Sequence, residues 1–71
     1  MDRLTMMKIN KMTTECRVAL RKERKTLGFG HSDVKTIIDK LDNDLLGART
    51  YEEASRLCEF SSNFIIYLHL L

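Results

Sequence analysis

Proline and tryptophan are absent from this 71-residue sequence, and glycine occurs only three times. Because proline and glycine most often interrupt helices, their scarcity leaves long segments in which a helix can run unbroken. The glycines fall where the periodic pattern of apolar residues stops. The sequence therefore predicts an all-α fold: a small three-helix bundle in one domain, residues 1–71, with antiparallel neighbours and short loops at Gly28–Gly30 and Gly47.

Cysteine and histidine are scarce as well, with two of each. Cys16 and Cys58 lie far apart in the sequence, on the apolar sides of their predicted helices, and His31 and His69 are isolated. These residues lack the short spacings that zinc sites favour, and a buried cysteine packs like a small hydrophobic residue. We therefore expect two free thiols rather than a disulfide, no metal site and no cofactor.

Long apolar runs are also missing, since the longest extends only from Phe64 to Leu71 and is broken by His69. A membrane-spanning helix needs about 20 apolar residues. The first residues lack the charged-then-apolar layout of a secretory signal. These absences predict a cytoplasmic protein without a membrane span.

The sequence offers few of the features of a catalytic site. A nucleophile needs a base within reach and a water-poor cleft, and Gly28-Phe29-Gly30 lacks the third glycine and the preceding strand of a dinucleotide site. Residues 42–53 match a calcium-binding EF-hand loop only in part, because Leu46 and Arg49 stand where a ligand and an apolar residue are required. We expect neither enzyme activity nor a small-molecule substrate.

The apolar periodicity places helices near residues 6–26, 32–46 and 51–70, with residues 1–5 frayed. The positions on the apolar side of each helix are the predicted core. They are Ile9, Met12, Cys16, Leu20, Val34, Ile37, Ile38, Leu41, Leu45, Ala54, Leu57, Cys58, Ile65 and Leu68.

Polar residues predict the helix ends and the exposed faces. Ser32 is expected to cap the second helix, and Thr50 with Glu53 forms a capping box before the third. Glu23 projects onto the apolar side of the first helix, where it needs a cationic partner or the helix must already be leaving the core. The residues of the second helix expected to point away from the core are Lys35, Asp39, Lys40, Asp42 and Asn43.

From Phe60 onward the third helix is apolar on every side. Two companion helices cannot cover its whole circumference, and exposed apolar clusters mark protein interfaces. We expect a non-catalytic interaction module, a regulator, adaptor or inhibitor that docks on a partner protein or on a second copy. The predicted interface residues are Phe60, Phe64, Ile66, Tyr67, Leu70 and Leu71. The open alternative is that the tail folds back and covers itself.

Charge is distributed unevenly, although the net charge is only +2. The first helix is basic over most of its circumference, and we interpret this as a means of steering an acidic partner. The residues concerned are Lys11, Arg17, Arg21, Lys22, Arg24 and Lys25. The alternative is a nucleic-acid-binding regulator that uses these residues, or a helix-turn-helix near residues 51–68.

Overall fold

A computed structural model describes residues 2–71, and these residues form three α-helices. The helices are α1 (Arg3–Thr26), α2 (Ser32–Leu46) and α3 (Tyr51–Leu70). The predicted three-helix bundle is confirmed.

Helix α1 begins at Arg3, three residues before the predicted start at residue 6. The reason is a cap at its N-terminus, where the backbone N–H of Thr5 donates to Asp2 Oδ1 at 2.6 Å. A side-chain acceptor at this position satisfies one of the backbone donors that the first turn leaves without a partner. Met1, which belongs to the segment predicted to fray, lies outside the described residues.

The turn between α1 and α2 departs from the prediction at its last residue. Gly28 and Gly30 have φ angles of 68° and 88°, a region that favours glycine because it has no Cβ. His31 follows with φ 55° and occupies the N-cap position, so Ser32 is the first helical residue and not the cap. His31 makes no capping hydrogen bond through its side chain.

The start of α3 follows the prediction. Thr50 has extended backbone angles, and its Oγ1 accepts the N–H of Glu53 at 3.1 Å. This is the threonine half of the predicted capping box. Gly47 ends α2 in the right-handed helical region, with its N–H donating to the carbonyl of Asn43 at 3.2 Å.

Contacts between side chains give the directions in which the helices run. Arg17 on α1 pairs with Asp42 on α2. Arg24, later on α1, pairs with Asp39, which is earlier on α2. Helices α1 and α2 are therefore antiparallel, as predicted for neighbours.

Helices α1 and α3 run parallel to each other. Cys58 Sγ lies 3.6 Å from the Met12 carbonyl, and His69 Nε2 lies 2.9 Å from Glu23 Oε1. Both pairs are separated by 46 residues. The constant separation shows that α1 and α3 keep one register over three turns.

The centre of the core is formed by Leu20, Ile38, Leu41, Leu45 and Cys58. Most of the other predicted core residues are buried or packed against this cluster. Leu68 is half-buried, whereas Ile37 is exposed, at 42%. It lies on the flank of α2 that α1 does not cover, where α3 leaves an open groove.

Two polar residues are buried although the sequence did not predict them in the core. Thr13 and Ser61 retain 7% and 1% of their surface. Each hydroxyl donates to a carbonyl one turn earlier in its own helix, Thr13 to Ile9 at 2.9 Å and Ser61 to Leu57 at 2.8 Å. A buried hydroxyl satisfied in this way carries little cost, which explains how both can face a neighbouring helix.

Candidate functional site

The last three turns of α3 expose large apolar side chains on the side that faces away from the bundle. We call this surface the α3 outer face. Its residues and their exposed fractions are Phe60 58%, Ile66 57%, Tyr67 58%, Leu70 80% and Leu71 85%. The alternative in which the tail covers itself is therefore wrong, because these side chains remain open to solvent in the isolated chain.

Phe64 was predicted to belong to this surface but lies elsewhere. It is half-buried and packs against the core cluster. Phe64 lies one turn after the buried Ser61, which places it on the side of α3 that packs against the core.

The α3 outer face has the spacing of a helix-packing seam. Phe60, Asn63, Tyr67 and Leu70 follow one another at intervals of three, four and three residues, which places them along one line of an α-helix. Asn63 is exposed between the two aromatic residues. The sequence has no charged residue between Glu59 and His69, so the surface is apolar with one amide near its middle.

An apolar groove between α2 and α3 adjoins the same face. It has a volume of about 350 Å³, and Ile37, Leu41, Leu57 and Phe60 form its apolar lining. The charged side chains of Lys40, Asp44 and Arg56 border it. Phe60 belongs both to this groove and to the α3 outer face, so the two apolar surfaces are continuous.

The arginines of the predicted basic site are engaged within the chain. Arg17 Nε lies 2.8 Å from Asp42 Oδ1, and Arg21 Nη2 lies 3.5 Å from Asp42 Oδ2. Arg24 contacts Asp39 through two nitrogens, at 2.8 and 3.3 Å. Asp42 was predicted to point into solvent, but its side chain is only 22% exposed. The arginine side of α1 therefore contacts α2, with Arg17 shielded from solvent and Arg21 and Arg24 still largely exposed.

The lysines of the same site lie on the neighbouring side of α1. Lys11, Lys22 and Lys25 are exposed, and within residues 2–71 they take part in no ion pair. Four of the six predicted residues line one shallow surface pocket and so form a cationic patch: Arg21, Lys22, Arg24 and Lys25. Arg17 is held against Asp42, and Lys11 lies about three turns earlier on α1.

The predicted partner for Glu23 is found on α3. Its side chain is 15% exposed, and His69 Nε2 lies 2.9 and 3.1 Å from its two carboxylate oxygens. The contact is an ion pair when His69 is protonated. It fixes the end of α3 against α1 and so holds Leu70 and Leu71 at the end of the bundle.

The helix-turn-helix alternative does not fit the geometry. Tyr51–Leu70 is one continuous helix, so the turn that the motif requires near Glu59 is absent. The partial EF-hand match has an equally simple explanation, because Asp42 and Asp44 lie within α2 and Thr50 caps α3. Within residues 2–71 no group of three or more histidine, cysteine, aspartate or glutamate side chains could hold a metal ion.

Sequence reasoning missed the acidic side of α2. Asp39 and Asp42 are three residues apart on one side of a helix, and Arg17, Arg21 and Arg24 have the matching spacing on α1. This complementarity could have been found in the sequence. The groove at Ile37 gives no such signal, because its opening depends on how closely α3 approaches α2.

No helix in residues 2–71 has the length and apolar character needed to cross a membrane. Comparison with protein-family profiles, curated protein sequences and solved structures finds no match for this chain.

Proposed function

We propose that this chain is a non-catalytic protein-interaction module that docks through the α3 outer face. The observation that carries the proposal is the exposure of five large apolar side chains within three turns of one helix. A contiguous apolar surface of this kind is costly to leave in water, and burial against a partner removes that cost. The regular spacing of the seam favours another helix as the surface that covers it.

The occupant we propose is a second copy of the same face. If two α3 helices pack antiparallel about a two-fold axis near Asn63, Phe60 of each copy lies opposite Tyr67 of the other. The two Asn63 amides then meet at the axis, where each can donate to and accept from the other. The seam brings no like charges together, because it contains no charged residue. It is therefore complementary to itself, as a two-fold interface must be.

The size of the α3 outer face sets the expected affinity of self-association. The segment from Phe60 to Leu71 is roughly 16 Å long at the helical rise of 1.5 Å per residue. Two such faces bury less than the roughly 1,200 Å² at which stable interfaces begin. We therefore expect reversible association with a dissociation constant on the order of 1 to 100 µM.

The first experiment is sedimentation velocity of the full chain over a concentration series from micromolar to millimolar. We expect the sedimentation coefficient to rise from that of a monomer toward that of a dimer. The variants Ile66→Glu and Leu70→Glu should remain monomeric, because each places a charge in the apolar face. A wild-type chain that stays monomeric throughout would overturn the proposed second copy.

Matched substitutions outside the face provide the control. Val18 on α1 and Leu46 at the end of α2 are 60% and 64% exposed, similar to the residues under test. Val18→Glu and Leu46→Glu should associate like the wild type. If they abolish association as fully as Ile66→Glu does, the interface lies elsewhere on the molecule.

The pairing of the arginines bears on how the basic helix could act. Arg17, Arg21 and Arg24 pair with only two acids of α2, because Arg17 and Arg21 share Asp42. One arginine charge and the neighbouring lysines therefore remain to steer an acidic protein. If α1 bound nucleic acid, most of its basic side chains would have to contact phosphates. Titration of a generic DNA duplex at low salt distinguishes nucleic-acid binding from the steering of an acidic protein. We expect no DNA binding; an affinity that falls steeply as ionic strength rises would instead support nucleic-acid binding.

A further inference from the structure

The two cysteines, distant in sequence, meet in the core between α1 and α3. Cys58 is buried, and its Sγ lies 3.6 Å from the carbonyl of Met12. In an α-helix that carbonyl accepts the N–H of the residue four positions later, which is Cys16. Cys58 therefore sits against the turn of α1 that begins at Met12 and ends at Cys16.

The side chain of Cys16 completes this arrangement. Cys16 is half-buried and packs against the core cluster to which Cys58 belongs. Cys16 lies close enough to Cys58 to contribute to the raised pKa of its thiol. The parallel register of α1 and α3, fixed at its far end by Glu23 and His69, keeps the two thiols on adjoining turns.

We propose that Cys16 and Cys58 form a redox-sensitive pair that closes an intramolecular disulfide between α1 and α3 on reaction with a small-molecule disulfide such as oxidised glutathione. The partly exposed thiol of Cys16 loses its proton, and its sulfur attacks one sulfur of the oxidant. A mixed disulfide forms and one glutathione thiolate leaves. Cys58 then loses its proton, attacks the Cys16 sulfur and releases the second glutathione. Two thiols are oxidised, and one glutathione disulfide is reduced to two thiols.

The environment of Cys58 makes the second step slow at neutral pH. Burial raises the pKa of Cys58 to about 12, and Cys16 and Glu15 on α1 add to the rise. The α2 members of its cluster, Ile38, Leu41 and Leu45, are apolar and offer no stabilising charge. The thiolate is the attacking form. As long as the pH stays below the pKa of Cys58, each unit increase in pH should therefore accelerate closure about tenfold.

Closure should stabilise the bundle. A cross-link between residues 16 and 58 spans most of the chain and restricts its unfolded state. We expect the thermal midpoint of the oxidised chain to exceed that of the reduced chain by on the order of 10 °C. The pair thus changes the stability of the module without touching the α3 outer face.

The test treats the reduced, folded full chain with excess oxidised glutathione at pH 7, 8 and 9, quenches with acid and alkylates free thiols with a maleimide. Intact mass and peptide mapping should show a monomer that has lost two hydrogens, carries no glutathione and links Cys16 to Cys58. Dithiothreitol should reverse the mass change and the rise in thermal midpoint. The proposal is wrong if both thiols remain open to alkylation, or if the disulfide forms only in denaturant.

Single variants check the order of events. Cys58→Ala should stop at a glutathione adduct on Cys16, and Cys16→Ala should leave Cys58 unmodified in the folded chain. Neither variant should gain thermal stability on oxidation. If the wild type also stops at the adduct, or forms dimers linked through Cys16, the proposal is wrong.

Discussion

At the scale of single residues, the contact between Arg17 and Asp42 is the least exposed ion pair among the described residues that involves an arginine. The side chains are 21% and 22% exposed, whereas those of Arg24 and Asp39 are 45% and 59% exposed. An exposed ion pair adds little to stability, while a shielded charge that loses its partner leaves an uncompensated desolvation cost. The two pairs join the same helices and so allow a direct comparison.

We predict that Asp42→Asn lowers the free energy of unfolding by about 1 to 2 kcal/mol. The substitution preserves shape and removes the charge that faces Arg17 and Arg21. Asp39→Asn is the matched control and should cost less than about 1 kcal/mol. Urea denaturation at low ionic strength measures both. Equal losses for the two variants would show that the shielding of Asp42 has no energetic consequence.

Residue-level errors in the sequence interpretation share one physical cause. The helical wheel of α2 correctly grouped Ile38, Leu41 and Leu45, but it also assigned Ile37 to the core and Asp42 to solvent. A wheel gives the direction of each side chain and not the distance of the neighbouring helix. Ile37 faces an open groove, and Asp42 lies under the arginines of α1.

At the scale of whole helices, local chemistry is enough to place most of the boundaries. Gly28, Gly47 and Thr50 mark the ends of helices because each favours backbone geometry or hydrogen bonding that a helix interior does not. The start of α1 was missed although Asp2 is a good capping residue. No apolar periodicity precedes Met6, so only the cap could have indicated the true start.

The N-cap of α3 should contribute measurably to the free energy of unfolding. We predict that Thr50→Ala lowers the free energy of unfolding by about 1 kcal/mol, because the N–H of Glu53 loses its acceptor. Thr14→Ala, at an exposed position within α1, should be neutral or slightly stabilising, since alanine is the better helix former. Thermal unfolding followed by circular dichroism tests the pair. A neutral Thr50→Ala would mean that water replaces the cap at no cost.

The cap of α1 should depend on pH. The hydrogen bonds from Thr5, chiefly that of its backbone N–H, lower the pKa of Asp2 from its usual 3.8. A lowered pKa means that the cap contributes fully above pH 3.8 and is lost as the pH falls through the lower value in the folded chain. Amide hydrogen exchange at Thr5 should therefore lose protection below pH 3.8, beyond the intrinsic change in exchange rate. In Asp2→Asn, which caps without a charge, that loss should be absent.

At the scale of the whole molecule, the chain combines a small core with a large exposed apolar surface. A domain of this length buries only about 60% of the surface that its unfolded chain exposes. The sequence predicted the exposed surface of α3 because two helices cannot cover a third that is apolar on all sides. Which residues stay exposed could not be predicted, as Phe64 illustrates, because that depends on the rotation of α3 against α2.

If the α3 outer face is covered by a second copy, stability must depend on protein concentration. Dimer formation stabilises only the folded state, so each tenfold increase in concentration above the dissociation constant should raise the thermal midpoint by about 3 to 5 °C. Leu70→Glu should abolish this dependence. At low concentration it should unfold like the wild type, because Leu70 is 80% exposed and adds little to the core. Differential scanning calorimetry over two decades of concentration makes the measurement. A midpoint that is constant for both proteins would show that the seam of α3 is not covered by its own copy.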